Sequence, residues 1–448
     1  MNFRKGIINL KHLFNIWKTY KMSSSVQNSF EEISNIKNRR SGTFTDNMKL
    51  PIHRWFRYSA GFSAEWVNTV IEEIHPEKVL DPFAGSGTVC ISCDRLGVQS
   101  IGVEAHPFVF NIAHAKSLWF EDHKCFLDTA NELLSHAKKC TPEKKLFENP
   151  LIAKCYSQEV LTDLLKLKNA FNNLSCKKNI KELLFIAISS ILRKSSHVGT
   201  AQWQYILPNK IKSKTISPYD AFIEQINIMY DDIHSMSLLK NSKPLCKVIC
   251  EDSRTLQSID SSSIDLVITS PPYANNYDYA DATRLEMTFW GDVTSWGDLH
   301  DAVRKYLICS NAQHASKEKF NLEELVESIW LKPIYKDILL VCNELSLVRE
   351  TKGGKKNYHT MLAAYFIDMA KTFFALRRVM RPHSKLCFVI GDSAPYGVYA
   401  PVDLWLGKLA LAAGFRSWEF EKLRDRNIKW KNRKHSVPLK EGRLWITG

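Results

Sequence analysis

The 448-residue chain predicts an α/β fold, a doubly wound and mostly parallel sheet interrupted by a helical insertion. Two observations predict it. Short apolar segments at 78–81, 99–103, 247–250, 264–268 and 386–390 run into loops that carry small or acidic residues, and helical patterns follow. That alternation is expected of a parallel sheet with helices on both faces. Residues 111–245 instead show only helical periodicity, at 118–137, 159–174, 180–192 and 219–239, and no strand is expected there.

In chain order, residues 1–43 form a basic and polar extension. Its first part mixes Arg4, Lys5, Lys11 and Lys18 with Ile7, Ile8, Leu10, Leu13, Phe14 and Trp17, without a small-residue cleavage site after a long apolar core. Aromatic residues then crowd together (His53, Trp55, Phe56, Tyr58, Phe62, Trp66), so a folded core is expected over 44–110. After the insertion, the core resumes over 246–448. That second part contains a mixed inserted stretch at 292–355, a helix at 358–380, the loop Gly391-Asp392-Ser393, a helix at 402–413, a basic segment and a last strand at 442–447.

Composition narrows the partners. With 45% hydrophobic residues the chain can bury a sizeable core. Its 61 Lys and Arg against 47 acidic residues leave a formal charge of +14, which favours a polyanionic partner such as nucleic acid or an anionic surface, although in a Lys-rich and Asn-rich chain compositional drift explains such a balance at least as often. No apolar run approaches the roughly 20 residues of a membrane span, so no membrane partner is expected and a cytoplasmic location is. The eleven cysteines are scattered, and the Cys90/Cys93 pair has no second pair to complete a metal site. Neither a metal nor a disulfide is expected.

Two loops carry the chemistry. The first reads Asp81-Pro82-Phe83-Ala84-Gly85-Ser86-Gly87-Thr88, where two glycines let the backbone approach a bulky ligand just before a helix. Glu104 follows at the tip of the next strand, where an acid can accept both hydroxyls of a ribose. The loop is not the G-x-G-x-x-G of dinucleotide sites, and its leading acid suits a cationic sulfonium and amino-acid moiety better than a pyrophosphate. The second loop, Ser270-Pro271-Pro272-Tyr273, stands at the end of a buried-type strand. Consecutive prolines cannot extend a strand ladder, so they fix the backbone at the sheet edge.

With these two loops the sequence resembles the amino-methyltransferases of DNA over about 44–110 and 246–448. The resemblance implies a Rossmann-like class I methyltransferase core that uses S-adenosyl-L-methionine. By it, Asp81, Pro82, Phe83, Gly85, Ser86, Gly87 and Thr88 wrap the methionine part, Glu104 holds the ribose, Asp252 bonds the adenine amine, and the aromatic stretch 44–62 covers the cofactor. Ser270, Pro271, Pro272 and Tyr273 are the implied catalytic residues. An exocyclic base amine is a poor nucleophile, and acceptors such as the Ser270 side chain and the Pro271 carbonyl would bias its nitrogen toward a tetrahedral form while Tyr273 stacks on an extruded base.

Serine at the first loop position leans toward cytosine N(4); aspartate there is usual for adenine N(6), which stays open as the alternative, with an RNA base amine behind it. Carbon-5 methylation needs a cysteine after proline, and no Pro-Cys occurs. The expected partner is double-stranded DNA in a bacterial restriction-modification setting, with a separately encoded endonuclease. A fold-retaining DNA binder without catalysis is the rival from another class, opposed by the intact loops. The segment Ala274 to Glu286 is expected to line the base pocket. Candidate DNA contacts are the basic run Lys422, Arg424, Arg426, Lys429, Trp430, Lys431, Arg433 and Lys434, and the segment from Arg193 to Tyr205.

Overall fold

The computed structural model describes residues 44–142, 145–200, 205–238, 244–354, 356–426 and 438–448. Nine strands form: β1 (Lys78–Asp81), β2 (Gln99–Val103), β3 (Val198–Thr200), β4 (Ile206–Ile211), β5 (Cys246–Ile249), β6 (Ile264–Thr269), β7 (Met380–Gly391), β8 (Ser417–Arg426) and β9 (Leu439–Thr447). Seven of them make one sheet in the order β5-β2-β1-β6-β7-β9-β8. The first five in that order are parallel, and β9 runs antiparallel to both neighbours. This is the Rossmann-like arrangement expected. Val79, Leu80, Leu266, Val267 and Ile268 are fully buried, because a parallel strand covered on both faces exposes neither side-chain row.

Helices join and cover these strands. The helix α1 (Ala64–Ile74) begins where the Ser63 hydroxyl accepts from the Trp66 amide, and α2 (Thr88–Leu96) begins at Gly87. A Cβ on Gly102 of β2 would stand 2.7 Å from Cys90 Sγ, so glycine lets α2 lie directly on the sheet. Cys90 and Cys93 are free, buried packing residues. Further along come α3 (Pro107–Ser117), α4 (His123–Lys139), α5 (Gln158–Asn173), α6 (Lys178–Ser195), α7 (Pro218–Ser237), α8 (Tyr335–Glu350), α9 (Tyr358–Val379) and α10 (Val402–Ala412).

Between β2 and β5 the insertion builds its own apolar core, with Leu133, Leu164, Leu184, Ile188, Phe222 and Met229 in one cluster. That cluster also takes in Ile52, Trp55 and Phe56 of the upstream aromatic segment. A single carboxylate fixes the junction. Asp232 of α7 accepts from the Ile52 amide (2.9 Å), the Trp55 indole (3.0 Å) and the Arg54 guanidinium. Lys116 of α3, also buried, donates to the carbonyl of His53 (3.1 Å). Without a counter-charge, burial brings this lysine down to about 7.

Two expectations are corrected. Residues 111–245 are not free of strands, because Val198 to Thr200 pairs antiparallel with Ile206 to Ile211. The β-branched residues Val198, Thr200, Ile206 and Ile211 favour extended backbone, and the segment is too short to show a period. The basic segment after α10 is strand β8 through Arg426, whose charges are absorbed by pairing: Arg424 with Glu441 (2.7 Å) and Lys422 with Asp425 (2.7 Å). Lys429, Trp430, Lys431, Arg433 and Lys434 lie outside the described residues. The mixed stretch 292–355 is helical throughout its regular parts and packs on α9.

Replacing Asp232 by alanine leaves the Arg54 charge, the Trp55 indole and the Ile52 amide without their acceptor. A loss of about 3–5 kcal/mol is expected for removing one partner of a buried ionic cluster. Chemical denaturation of Asp232→Ala beside the parent chain measures it.

Candidate active site

The sheet reverses its winding between β1 and β6, so their C-terminal ends open a crevice. The loop after β1 enters it through Gly85 (φ 52°) and Gly87 (φ 85°), both in left-handed backbone that glycine adopts without strain. Space demands the same residue at the first position. A Cβ on Gly85 would stand 3.1 Å from the Tyr58 ring.

One cleft collects most of the residues singled out in the sequence. Pro82, Phe83, Gly85, Ser86, Thr88, Glu104, Asp252, Ser270 and Pro272 all line it. Tyr58, Ala60, Gly61 and Phe62 of the upstream segment form part of its wall, as expected of a cover. Asp81, Gly87, Pro271 and Tyr273 are not part of that wall.

Asp81 is fully buried behind it. Its Oδ1 accepts from the Phe83 amide (3.1 Å) and the Thr269 hydroxyl (2.5 Å), which ties the end of β1 to the end of β6. Its Oδ2 has no hydrogen-bond partner among the described residues. Burial, opposed by the Thr269 hydroxyl, raises this carboxyl to about 7.

Glu104 crosses from β2 to the glycine loop. One oxygen accepts from the Gly85 amide and the other from the His106 amide, each at 2.8 Å. Each oxygen keeps a lone pair for a ligand donor. Burial pushes this carboxyl up to about 7, against the pull of those amides.

Asp252 is already engaged. Its carboxylate faces the Arg254 guanidinium across contacts of 2.7–3.0 Å, and Arg254 reaches on to Asp368 at 3.1 Å.

On the other side of the crevice, the Ser270 hydroxyl donates to the Val389 carbonyl at 3.2 Å, so its oxygen remains an acceptor. The Arg426 guanidinium lies 5.5 Å from the centre of the Tyr273 ring. Gly391 of β7 makes that approach possible, since a Cβ there would fall 2.5 Å from the guanidinium and 3.2 Å from the tyrosine ring. Burial raises the Tyr273 hydroxyl above its usual range, keeping it protonated.

The residues after Tyr273 are held from three sides. Asp278 takes the buried Arg304 guanidinium (2.7 Å), and its amide donates to the Tyr205 hydroxyl (2.6 Å). Glu286, fully buried, pairs with Arg193 of α6 through an Nη2 to Oε2 bond of 2.9 Å, and Arg193 also donates to the Ala282 carbonyl (2.7 Å).

Comparison with known proteins agrees with this layout. A family model described as DNA methylase matches residues 5–115. The Type II methyltransferase M.BsoBI of Geobacillus stearothermophilus is 28% identical over 87% of this chain and 83% of its own length. M.AvaI of Nostoc sp., also a Type II methyltransferase, is 26% identical over 84% of this chain and 82% of its own. The chain is thus similar to DNA methylases along most of its length. M.MvaI of Kocuria varians, a third Type II methyltransferase, is 22% identical over 84% of each chain. No solved structure gave a significant match.

Several residues at the cleft were not expected from the sequence. Tyr306, Leu307 and Ile308 line it from the stretch 292–355, where no resemblance guided the eye. His106 lines it too, with Nε2 2.8 Å from the Thr283 hydroxyl, and burial takes this imidazole down to about 3, so it is neutral. Its nearness to Glu104 in sequence was the available signal. Arg193 and Lys194, read as DNA contacts, turn inward: Arg193 to Glu286 and Lys194 to the Gln225 side chain (3.2 Å). Trp203 and Gln204 lie outside the described residues. Among the described residues no cluster of His, Cys, Asp or Glu is arranged to hold a metal, and no helix is long and apolar enough to cross a membrane.

The raised Glu104 carboxyl sets a pH dependence of stability. The fold binds this proton more tightly than the unfolded chain, whose carboxyl titrates near 4.5. Its stabilising share is therefore full below about 4.5 and is lost as pH rises to about 7. Melting temperatures of the ligand-free protein and of Glu104→Gln, followed from pH 4.5 to 8, are expected to converge on the acid side and separate on the alkaline side, with glutamine the more stable there.

Proposed function

We propose that the chain methylates the exocyclic N(4) amine of cytosine within a specific sequence of double-stranded DNA, with S-adenosyl-L-methionine as donor, as the modification partner of a separately encoded restriction endonuclease in the bacterial cytoplasm. The observation that carries this reading is the Ser270 hydroxyl. It donates to the Val389 carbonyl and keeps its oxygen as an acceptor in the same cleft as Gly85 and Glu104.

The cleft suits the donor. Gly85 and Ser86 leave backbone room for the amino-acid part, the two Glu104 oxygens have lone pairs for ribose hydroxyls, and Phe83, Val103 and Ile308 offer apolar surface to the adenine. Asp252 has most of its lone pairs occupied by Arg254, which makes it the weaker contributor. The orphaned Oδ2 of Asp81 supports the assigned role of that acid at the methionine end, through the loop it anchors. S-adenosyl-L-methionine, when bound, supplies an electrophilic methyl group.

The chain's own groups prepare the nucleophile. Ser270 Oγ and the Pro271 carbonyl accept the two amine hydrogens and turn the nitrogen lone pair out of conjugation. Tyr273, with Arg426 over its ring, stacks against a base turned out of the duplex. The loop is stiff, so this geometry is present before substrate arrives.

Ser270→Ala is expected to lower methyl transfer on the order of 100-fold or more, because one preorganised acceptor is lost, while leaving cofactor affinity unchanged. Tyr273→Ala is expected to do likewise. Glu104→Ala and Asp81→Ala should weaken S-adenosyl-L-methionine in calorimetric titration, and Asp252→Ala should weaken it less. Mass analysis of nucleosides from modified DNA should return N(4)-methylcytosine. N(6)-methyladenine would move the base assignment and keep the mechanism, whereas 5-methylcytosine, or full activity in Ser270→Ala, would overturn the mechanism.

A further inference from the structure

We propose that the β3–β4 hairpin reads the base sequence of duplex DNA, with Asn209 and Ile211 at the base edges and Lys210 and Lys214 at the phosphates. The proposal rests on the reading of the chain as a duplex-DNA methyltransferase.

The hairpin is a two-stranded ribbon separate from the main sheet. The major groove of B-DNA, about 12 Å wide, admits such a ribbon. Its second strand and the turn after it are exposed at Asn209, Lys210, Ile211, Ser213 and Lys214. Ile211 is 77% exposed, more than any other large hydrophobic residue described. The pairing register slips between Val198 and Gly199, which face Ile211 and Leu207, so the chain from 208 to 210 bulges out of the ladder and Asn209, Lys210 and Ile211 stand exposed beside one another. An asparagine amide matches adenine N6 and N7, an aliphatic side chain matches the thymine methyl, and lysines match phosphates. The charge sign fits as well, since the exposed ionisable groups from 209 to 214 are all lysines.

Packing holds the ribbon's root firmly. Lys210 Cγ lies 2.9 Å from where a Cβ on Gly199 would be, so that glycine lets the lysine stem cross the partner strand. Lys212 Nζ donates to the carbonyls of Arg193 (2.5 Å) and Ser196 (3.2 Å).

The same ribbon touches the segment that follows the catalytic loop. The Tyr205 ring centre is 5.5 Å from that of Tyr277, and its hydroxyl accepts from the Asp278 amide. Arg193, one turn before the ribbon, binds Glu286 and the Ala282 carbonyl. These contacts brace residues 277–286 from the root of the ribbon, which makes Tyr205 a positioning residue.

The test selects duplexes from a pool with a randomised stretch, using the full chain and four variants, and reads the bound DNA by sequencing, so that it needs no methyl transfer. Asn209→Ala and Ile211→Ala should each relax the parent consensus at one or two positions by roughly ten- to hundredfold, with cofactor affinity unchanged. Lys210→Ala and Lys214→Ala should weaken all sequences alike and reduce the salt slope of binding by about 1 each. Parent consensus and parent slope in all four variants would overturn the proposal. If the parent chain enriches a consensus that it does not methylate, the enzymatic reading falls while the consensus shifts still decide this one; a parent that enriches no duplex sinks both. Tyr205→Phe, which keeps the ring, should lower kcat roughly five- to tenfold with KM for DNA unchanged, and equal kcat would remove its positioning role.

Discussion

One buried carboxylate pins the ends of two paired strands whose closing residues are 188 apart in the chain, at the point where the sheet reverses its winding. Asp81 ends β1, Thr269 ends β6, and the 2.5 Å bond between them holds the loops that follow at a fixed separation. Everything proposed for the site depends on that distance, since one loop faces the donor and the other faces the base. The Phe83 amide bound to the same oxygen aims the first loop, and Ser253 secures the Pro82 carbonyl from a third strand end. Burial penalises the charge on Asp81, and the hydroxyl and amide that donate to it offset part of the cost.

Around this clamp, polar contacts between distant segments repeat one theme. Asp232 brings the aromatic cover to the insertion, and Glu286 brings the end of α6 to the segment after the catalytic loop. Each acid is buried and would be costly without its donors, and each pair specifies one way of docking rather than adding much net stability. The insertion thus touches both the cover over the cleft and the segment beside its base side. Its helices are a scaffold for two walls of the site.

Much of the fold was legible because its strands carry uninterrupted apolar runs and its loops carry glycine and proline at fixed places. β1 and β2 fall where the apolar runs predicted, and α5, α6, α7, α9 and α10 fall within two residues or so of their periodic stretches. The hairpin was hidden because three residues of β3 show no period, and its partner strand, Ile206-Leu207-Pro208-Asn209-Lys210-Ile211, carries a proline and no alternation. β8 was hidden for a related reason: as an edge strand with charges paired to β9 and its own neighbours, it reads as a basic tail. In the site, Glu104 and Ser270 were legible because a strand tip is a chemical address. Tyr306, Leu307 and Ile308 were not, for nothing local marks a residue that reaches the cleft only through long-range packing.

The interrupted sheet also sets a schedule for synthesis. The segments that become β1 and β2 leave the ribosome before β5 and β6, the strands that cover their outer edges in the finished sheet. At 5–20 residues per second, the 188 residues from Asp81 to Thr269 take on the order of 10–40 s to appear. Through that interval two apolar strand edges have no partner, and the helical insertion, rich in local contacts, is free to fold first. In a nascent chain of this topology the first two core strands wait as unpaired apolar segments, so the completion of the sheet, and with it of the cleft, is set by when the second half arrives.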